Sequence, residues 1–256
     1  MRGLFIFILL PLLAAPAAGA GDWQFSSSAN YDTGKYGTSY RTDSLYIPLT
    51  LKRYYRSGYV SATASWLRQS TIGQTTRVNG APVRVRGGSA TPTSAQSGPG
   101  DLLLRGTLDL KTEERDSYDL ALAGLLKLPT ADRDKGLGTG QMDQGFGLEF
   151  AKNIAGRWTL LLDGYYTIVG EPRGVDYNSQ LALNAGFYKA VGDGFGLTVL
   201  YETRSALAAG SPDPRDVFAQ LSYDWPNGLR YTGGLTLGLS EGSPDLGLSA
   251  GVSRKF

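Results

Sequence analysis

The feature that most constrains this chain is a two-residue alternation of apolar and small polar side chains, repeated in segment after segment. Near the end of the chain, Leu235, Leu237 and Leu239 share one parity, and Gly234 and Thr236 share the other. Successive side chains of a strand point to opposite faces, so each such segment is a strand with one apolar and one polar face. The repetition predicts an all-β fold.

Several of these segments have the length that a tilted strand needs to cross a bilayer, about 9 to 11 residues. The connections between them alternate between short ones, such as 55–57 and 226–228, and longer ones, the longest being 70–100. Bacterial outer-membrane barrels have short periplasmic turns and long outer loops. The pattern therefore predicts a transmembrane antiparallel up-and-down β-barrel of about twelve strands in a Gram-negative outer membrane. We place the strands at 23–33, 43–53, 58–69, 101–111, 117–128, 144–152, 157–169, 177–189, 195–205, 216–225, 229–239 and 246–253.

A soluble sandwich or lipocalin-like barrel is the alternative, in which the apolar parity forms a core. Charge favours the membrane, because the charged residues found on the apolar parity, Lys152, Lys189 and Arg254, lie near predicted inner strand ends, where long side chains reach water. Aromatic side chains near strand ends are typical of interfacial girdles. The examples are Trp23, Tyr59, Trp66, Trp158, Tyr223 and Trp225.

Two terminal features indicate export and assembly. Arg2, the apolar run 4–13 and the small residues 18–20 have the layout of a cleaved signal peptide, so we expect residues 1–20 to be removed and 21–256 to form a single barrel domain. Phe256 resembles the terminal aromatic residue by which the barrel assembly machinery recognises outer-membrane proteins.

Composition excludes several classes of function. The chain has no histidine and no cysteine, so neither a Ser-His nor a Cys-His nucleophile can be built, and we predict no catalytic site and no enzyme. Oxygen donors alone remain for metals, and Asp132, Asp134 and Asp143 are better interpreted as a solvated loop than as a weak calcium site. With 25 basic and 23 acidic residues, nucleic acid is not an expected partner. We expect no cofactor and no metal.

Charged residues on the polar parity are the candidates for the lumen. Arg105, Glu149 and Asp163 are predicted near mid-depth, where they either set selectivity or form a structural ion-pair network. The full predicted lumen set is Arg105, Glu149, Asp163, Asp109, Glu202 and Arg230.

A second candidate is a basic patch in the longest outer loop. Residues 78–83 contain Asn-Gly and predict a hairpin tip above the membrane. There Arg77, Arg84 and Arg86 would meet lipopolysaccharide phosphates or collect anionic solutes. The composition of 87–100, rich in Ser, Thr, Gly and Pro, indicates a mobile or infolding segment.

Four short motifs carry a family resemblance, namely Gly100-Asp101-Leu102, Leu126-Lys127-Leu128-Pro129-Thr130, Gly136-Leu137-Gly138-Thr139-Gly140 and Asp143. They resemble the motif series of the outer-membrane family associated with the meta pathway of phenol degradation, although that family usually has Gly where this chain has Ala131. The resemblance implies a barrel that moves small compounds, aromatic or apolar ones among them, across the outer membrane.

Barrel size leaves two hypotheses open. Eight strands enclose little beyond side chains and sixteen to eighteen leave an aqueous channel, so about twelve predicts a narrow space. The first hypothesis is a channel or transporter for the passive movement of small molecules. The alternative is a non-conducting barrel, filled by charges and by the 70–100 loop, that displays its outer loops to lipopolysaccharide or a protein partner.

Overall fold

The computed structural model describes residues 22–70, 75–85 and 95–256; the expected signal peptide lies outside the described residues. The fold is almost entirely β. Its elements are β1 (Trp23–Gly34), β2 (Thr42–Tyr55), β3 (Gly58–Gln69), β4 (Thr75–Val78), β5 (Ala81–Arg84), β6 (Gln96–Pro99), β7 (Leu102–Lys111), α1 (Glu113–Asp116), β8 (Asp119–Leu128), β9 (Asp143–Ala155), β10 (Trp158–Ile168), β11 (Gln180–Gly192), β12 (Phe195–Arg204), β13 (Arg215–Trp225), β14 (Leu229–Gly238) and β15 (Leu246–Lys255).

The sheet closes on itself because β1 pairs with both β2 and β15. All neighbours are antiparallel, and each strand pairs with the next along the chain from β7 to β15. β6 and β7 both pair with β3, one after the other, so the thirteen strands of the main sheet occupy twelve positions around the barrel. The predicted twelve-stranded up-and-down barrel is confirmed.

The predicted strand bounds hold to within a few residues, with two informative differences. β11 begins at Gln180 and not at 177, because the amide of Asn178 donates to the carbonyl of Leu207 in a neighbouring loop and not to the barrel wall. The inner connection after β7 contains the single helical turn α1, where Asp116 accepts hydrogen bonds from Lys111 and from the amide of Thr112. In the described part of the chain, no helix is long and apolar enough to cross a membrane.

The large apolar side chains face away from the barrel interior. Phe146 is 60% exposed and Leu221 is 59% exposed, which a soluble protein of this size would not tolerate across a whole belt. The soluble alternative is therefore wrong, and the belt is the lipid-facing surface of a membrane barrel. The same parity carries the long apolar series of β10, β11 and β14.

An aromatic girdle surrounds the periplasmic rim, as expected for the membrane interface. Trp158 packs edge-on against Phe187, and Lys189 lies 4.5 Å above the Trp158 ring. Tyr223 and Trp225 form a second contact there, with ring centroids 5.7 Å apart. One predicted member is wrong: Tyr59 points into the lumen, where the ammonium of Lys52 lies over its ring.

The hairpin β4–β5 is the one described element that leaves the wall. Its tip residues Asn79 and Gly80 both have positive φ, +51° and +84°, as a two-residue hairpin turn requires. The predicted hairpin is confirmed, but its predicted place above the membrane is wrong. Val78 and Val83 are each 1% exposed, because the hairpin folds back into the barrel.

Candidate solute pathway through the barrel

All four predicted lumen carboxylates share one row of paired residues across the wall. The row begins near the periplasmic end of β7 and reaches the outer end of β13. Strands of a barrel tilt, so a row of directly paired residues climbs along the axis as it passes from strand to strand. The paired residues, in order, are Asp109, Ala121, Glu149, Asp163, Asn184, Glu202, Asp216 and Gly238.

Arg105 neutralises this row at one point only. Its guanidinium forms an ion pair with Glu149 and donates to the hydroxyl of Tyr165 at 3.0 Å. Tyr165 in turn donates to Glu149 at 2.5 Å, so the three side chains form a closed network. Asp163, directly opposite Glu149 in the ladder, has no ion pair within the described residues. The structure thus brings the predicted triad together and leaves Asp163 outside its ion pair.

The outer end of the row contains a second network that the sequence analysis did not select. Arg204 forms an ion pair with Asp216, whose side chain is almost fully buried. Glu202 lies opposite Asp216 and lines the same cavity as both residues. Asp216 occupies the polar parity of its strand, with Phe218 and Gln220, so parity alone was enough to place it in the lumen.

Arg230 lies apart from the other predicted lumen residues. It forms a two-atom ion pair with Asp224, with distances of 2.5 and 2.7 Å, beside the periplasmic turn 226–228. Both side chains are about half exposed. Arg230 therefore belongs to the inner rim of the barrel and not to the middle of the lumen.

The hairpin β4–β5 reaches from one wall of the barrel to the opposite wall. Arg77 donates to Asp32 of β1 at 2.8 Å and to Ser44 of β2 at 3.0 Å. Asn79, at the tip, donates to Thr167 of β10 at 2.9 Å. β1 and β10 are six positions apart in a ring of twelve, which makes them diametrically opposite. The hairpin consequently bridges the full width of the lumen in its outer half.

Apolar contacts hold the other face of the hairpin. Val78, Val83 and Val85 form a buried cluster with Val169 and Leu207 from the outer loops. Tyr177 packs against this cluster, and burial raises the pKa of its hydroxyl. The hairpin is thus held by one ion pair and by hydrogen bonds on one side, and by a small hydrophobic core on the other.

The two described arginines of the predicted outer patch, Arg77 and Arg84, do not form one surface. Arg77 is paired inside the barrel, which contradicts its expected exposure to lipopolysaccharide. Arg84 lies at the outer end and donates to the carbonyl of Gly37 at 3.4 Å. Arg86 lies outside the described residues.

The family motifs meet at the outer ends of β7, β8 and β9. Lys127 is buried there, 2.7 Å from Asp143 and 3.7 Å from Asp101, and it donates to the hydroxyl of Thr139 at 3.0 Å. Asp101 also accepts from the amide of Ala131 at 3.0 Å. Four segments that are separate in sequence therefore form a single ionic latch.

Position 138 of this latch requires glycine, whereas position 131 does not. A Cβ on Gly138 would lie 2.8 Å from both Ala131 and the Asp101 carboxylate, so glycine is required there by close approach. Ala131 has no positive φ, so its departure from the family's usual glycine leaves the turn intact.

Unfilled space remains around the hairpin and below it. A cavity of about 370 Å³ lies between Asp32, Arg77 and Glu202, and another of about 250 Å³ lies between Arg105, Asn79 and Arg204. A third, of about 310 Å³, lies toward the periplasm and is lined by Asp109, Glu149 and Asp163. The lumen is a series of polar chambers wide enough for small molecules.

The acidic outer loop does not assemble a metal site. The amides of Lys135 and Asp134 donate to Asp132, and the hydrogen bond from Lys135 is the main cause of its lowered pKa. Asp143 is engaged by Lys127 in the latch. Within 22–70, 75–85 and 95–256, no three His, Cys, Asp or Glu side chains are grouped to hold a metal ion.

Sequence comparison identifies the family on most of the chain. Residues 52–256 match the family described as "Putative MetA-pathway of phenol degradation". The chain belongs to this family. The matched range contains all four motifs that form the latch. No curated protein matches the chain in sequence.

Comparison with solved structures finds channels and porins of the same fold. An outer membrane channel from Pseudomonas putida F1 is 14% identical with a TM-score of 0.71, covering 93% of this chain and 97% of that chain. KdgM porin is 9% identical with a TM-score of 0.56, covering 91% of this chain and 99% of that chain. The CymD monoaromatic hydrocarbon channel is 10% identical with a TM-score of 0.51, covering 98% and 94% of the two chains.

Proposed function

We propose that this protein is a passive outer-membrane channel for small molecules, aromatic compounds among them. The observation that carries the proposal is the chambered polar lumen, with its row of carboxylates from Asp109 to Asp216. Membership of the family and the channel function named for CymD and for the Pseudomonas putida channel support it. No catalytic step is part of the proposal, and the absence of histidine and cysteine agrees with that.

In this proposal the carboxylate row sets charge selectivity. Asp163 lies at the middle of the row without an ion pair in the described part of the chain, so its field acts on passing ions. Glu149 is compensated by Arg105 and contributes less. A charge that is confined in a narrow polar lumen raises the local concentration of opposite charges.

Single-channel recording in planar bilayers tests this function. We expect discrete conductance from the purified protein, and we expect Asp163→Asn to shift the permeability ratio from cations toward anions. The matched control is Asp224→Asn at the exposed rim, which should leave the ratio unchanged. Bilayers that stay closed, both with the whole chain and after removal of the hairpin, would contradict the proposal.

A non-conducting display barrel is the second candidate, and the hairpin across the lumen is the observation that favours it. In that case, removal of the hairpin opens no current and abolishes binding to lipopolysaccharide or to a protein partner. Binding of lipopolysaccharide through Arg84, and recognition of Phe256 by the barrel assembly machinery, remain proposals under either function. The backbone of Phe256 pairs with Trp23 at 3.0 and 3.3 Å, which closes the ladder between the terminal strands.

A further inference from the structure

The inner wall of the periplasmic half carries a row of cations that runs from β15 to β7. Lys255 is paired with Gln24, Gln24 with Lys52, Lys52 with Ser61, and Ser61 with Arg105. Cations therefore occupy every second strand of this row, about 10 Å apart from one to the next. Neutral side chains separate them.

Neither lysine of this row has a carboxylate partner. Within the described residues, Lys52 and Lys255 form no ion pair. The carboxylate of Asp224, which feels the charge of Lys255, is held by Arg230. Arg105 and Lys255 flank Lys52 in the row, each two strands away, so the neighbouring charges on both sides have the same sign. The wall therefore has a surplus of positive charge that an anion would relieve.

Two tyrosine rings surround this charge. The Lys52 ammonium lies 4.0 Å from the ring centroid of Tyr59 and 5.5 Å from that of Tyr54. Lys255 lies 4.7 Å from the centroid of Tyr54. The two rings are 6.0 Å apart and inclined at 60°, and the Tyr54 hydroxyl is fixed by a 2.6 Å hydrogen bond to Gln24. Both rings are partly exposed, so they present an aromatic surface to the lumen.

We infer that Lys52, Tyr54, Tyr59 and Lys255 form a subsite for small aromatic carboxylates in the periplasmic half of the lumen. The ammonium groups provide charge-assisted hydrogen bonds to the carboxylate. The tyrosines offer ring faces and edges for tilted or offset packing of the solute's ring. The inference rests on the proposed channel function for its physiological meaning, since it names a class of solute for that pathway.

The opposite wall sharpens the specificity. Glu149 on β9 and Asp163 on β10 lie six positions across the ring from β15 and β1, so a carboxylate is repelled from that side and drawn to the lysines. An aromatic acid is thereby oriented across the channel, with its charge toward β2 and β15. Simple anions interact favourably only with the ammonium groups, and neutral aromatic solutes interact favourably only with the tyrosine rings.

Titration with benzoate, followed by ligand NMR on the protein in non-ionic detergent, tests the subsite without a current. We expect benzoate to bind more tightly than cyclohexanecarboxylate, which lacks the aromatic ring, and than benzyl alcohol, which lacks the charge. Lys52→Gln and Tyr59→Leu should each weaken benzoate binding, the former by about tenfold or more, as loss of a charged hydrogen bond does. Lys52→Arg retains the cation and should restore most of the affinity.

Lys189→Gln is the matched control, because it removes an ammonium over an aromatic ring on the lipid-facing side of the barrel. It should bind benzoate like the unaltered protein. Equal affinity for benzoate and cyclohexanecarboxylate, or unchanged affinity in Lys52→Gln, would overturn the inference. Benzoate binding by a protein whose bilayers stay closed, both with the whole chain and after removal of the hairpin, would leave the subsite standing and defeat the channel function. Conduction without benzoate binding would overturn the subsite and leave the channel function standing.

Discussion

The outer and periplasmic halves of the lumen use charged residues in opposite ways. In the outer half the ion pairs that hold the hairpin and the latch are buried: side-chain exposure is 12% and 13% for Arg77 and Asp32, and 2% and 3% for Lys127 and Asp143. At the periplasmic end, Arg230 and Asp224 are 51% and 49% exposed. Lys52 and Lys255, which lie near that rim, form no ion pair in the described part of the chain.

This difference separates structural charges from charges that meet solute. Breaking a buried pair leaves an uncompensated charge, which costs about 3 to 5 kcal/mol, whereas an exposed pair contributes about 0 to 1 kcal/mol. The buried pairs of the outer half therefore hold the hairpin and the latch in place. The exposed or unpaired charges of the inner half are available to act on solutes.

The largest expected effect follows removal of the hairpin. Replacing residues 76–83 by a short Gly-Ser link deletes the only described element that bridges β1 and β10, so we expect single-channel conductance to rise several-fold. The control replaces residues 171–175, in another outer loop, by a Gly-Ser segment of the same length. Unchanged conductance after hairpin removal would show that the hairpin in the outer half does not obstruct the passage of ions more than the periplasmic half does.

Loss of the latch cation should have the next largest effect, on stability. Lys127→Met leaves Asp101 and Asp143 buried without their partner, so the free energy of unfolding should fall by up to about 3 to 5 kcal/mol. Thermal unfolding in detergent, followed by circular dichroism, measures this. Adding Asp143→Asn and Asp101→Asn to that variant should recover part of the loss; a triple variant no more stable than Lys127→Met would argue against an ionic latch.

A smaller effect is expected where the hairpin docks on β1. Arg77→Met removes the ion pair to Asp32 and the hydrogen bond to Ser44. Because this pair is more exposed than the latch, at 12% and 13% against 2% and 3%, the cost to the docked position should be smaller than for the latch, about 1 to 3 kcal/mol. The open probability of single channels should increase, with the open conductance unchanged. Adding Asp32→Asn removes the orphaned charge and should lower the open probability again.

The smallest effect is expected at the inner rim. Arg230→Gln breaks an ion pair that is half exposed, so stability should change by less than about 1 kcal/mol. The midpoint of thermal unfolding and the conductance should both stay within error of the unaltered protein. A loss as large as that of Lys127→Met would erase the distinction between the two halves.

Alternation in the sequence was sufficient for the wall of the barrel. Strands such as β14 were predicted almost to the residue, because each apolar side chain must face lipid and each polar one must face away. The same parity placed Arg105, Glu149 and Asp163 in the lumen, where they lie. It also contained the carboxylate row, which becomes visible only with the register between strands.

The position of the hairpin could not be predicted in this way. The pair Asn79 and Gly80 predicted the turn, because both residue types tolerate the positive φ that a two-residue hairpin turn requires. Such a turn does not indicate where in the barrel the hairpin lies. Its place inside the barrel depends on contacts with β1, β10 and the outer loops, residues that are up to 88 positions away in the chain. For that reason, the predicted exposure of Arg77 in an outer basic patch was wrong.

The sequence by itself determined the twelve strands, their inner and outer faces and the motifs of the family, because these follow from local periodicity and from residue type. Only the tertiary structure decided which charges pair, which remain free and what crosses the lumen. Those outcomes depend on the register between strands and on the closure of the sheet, which bring distant residues within hydrogen-bonding distance.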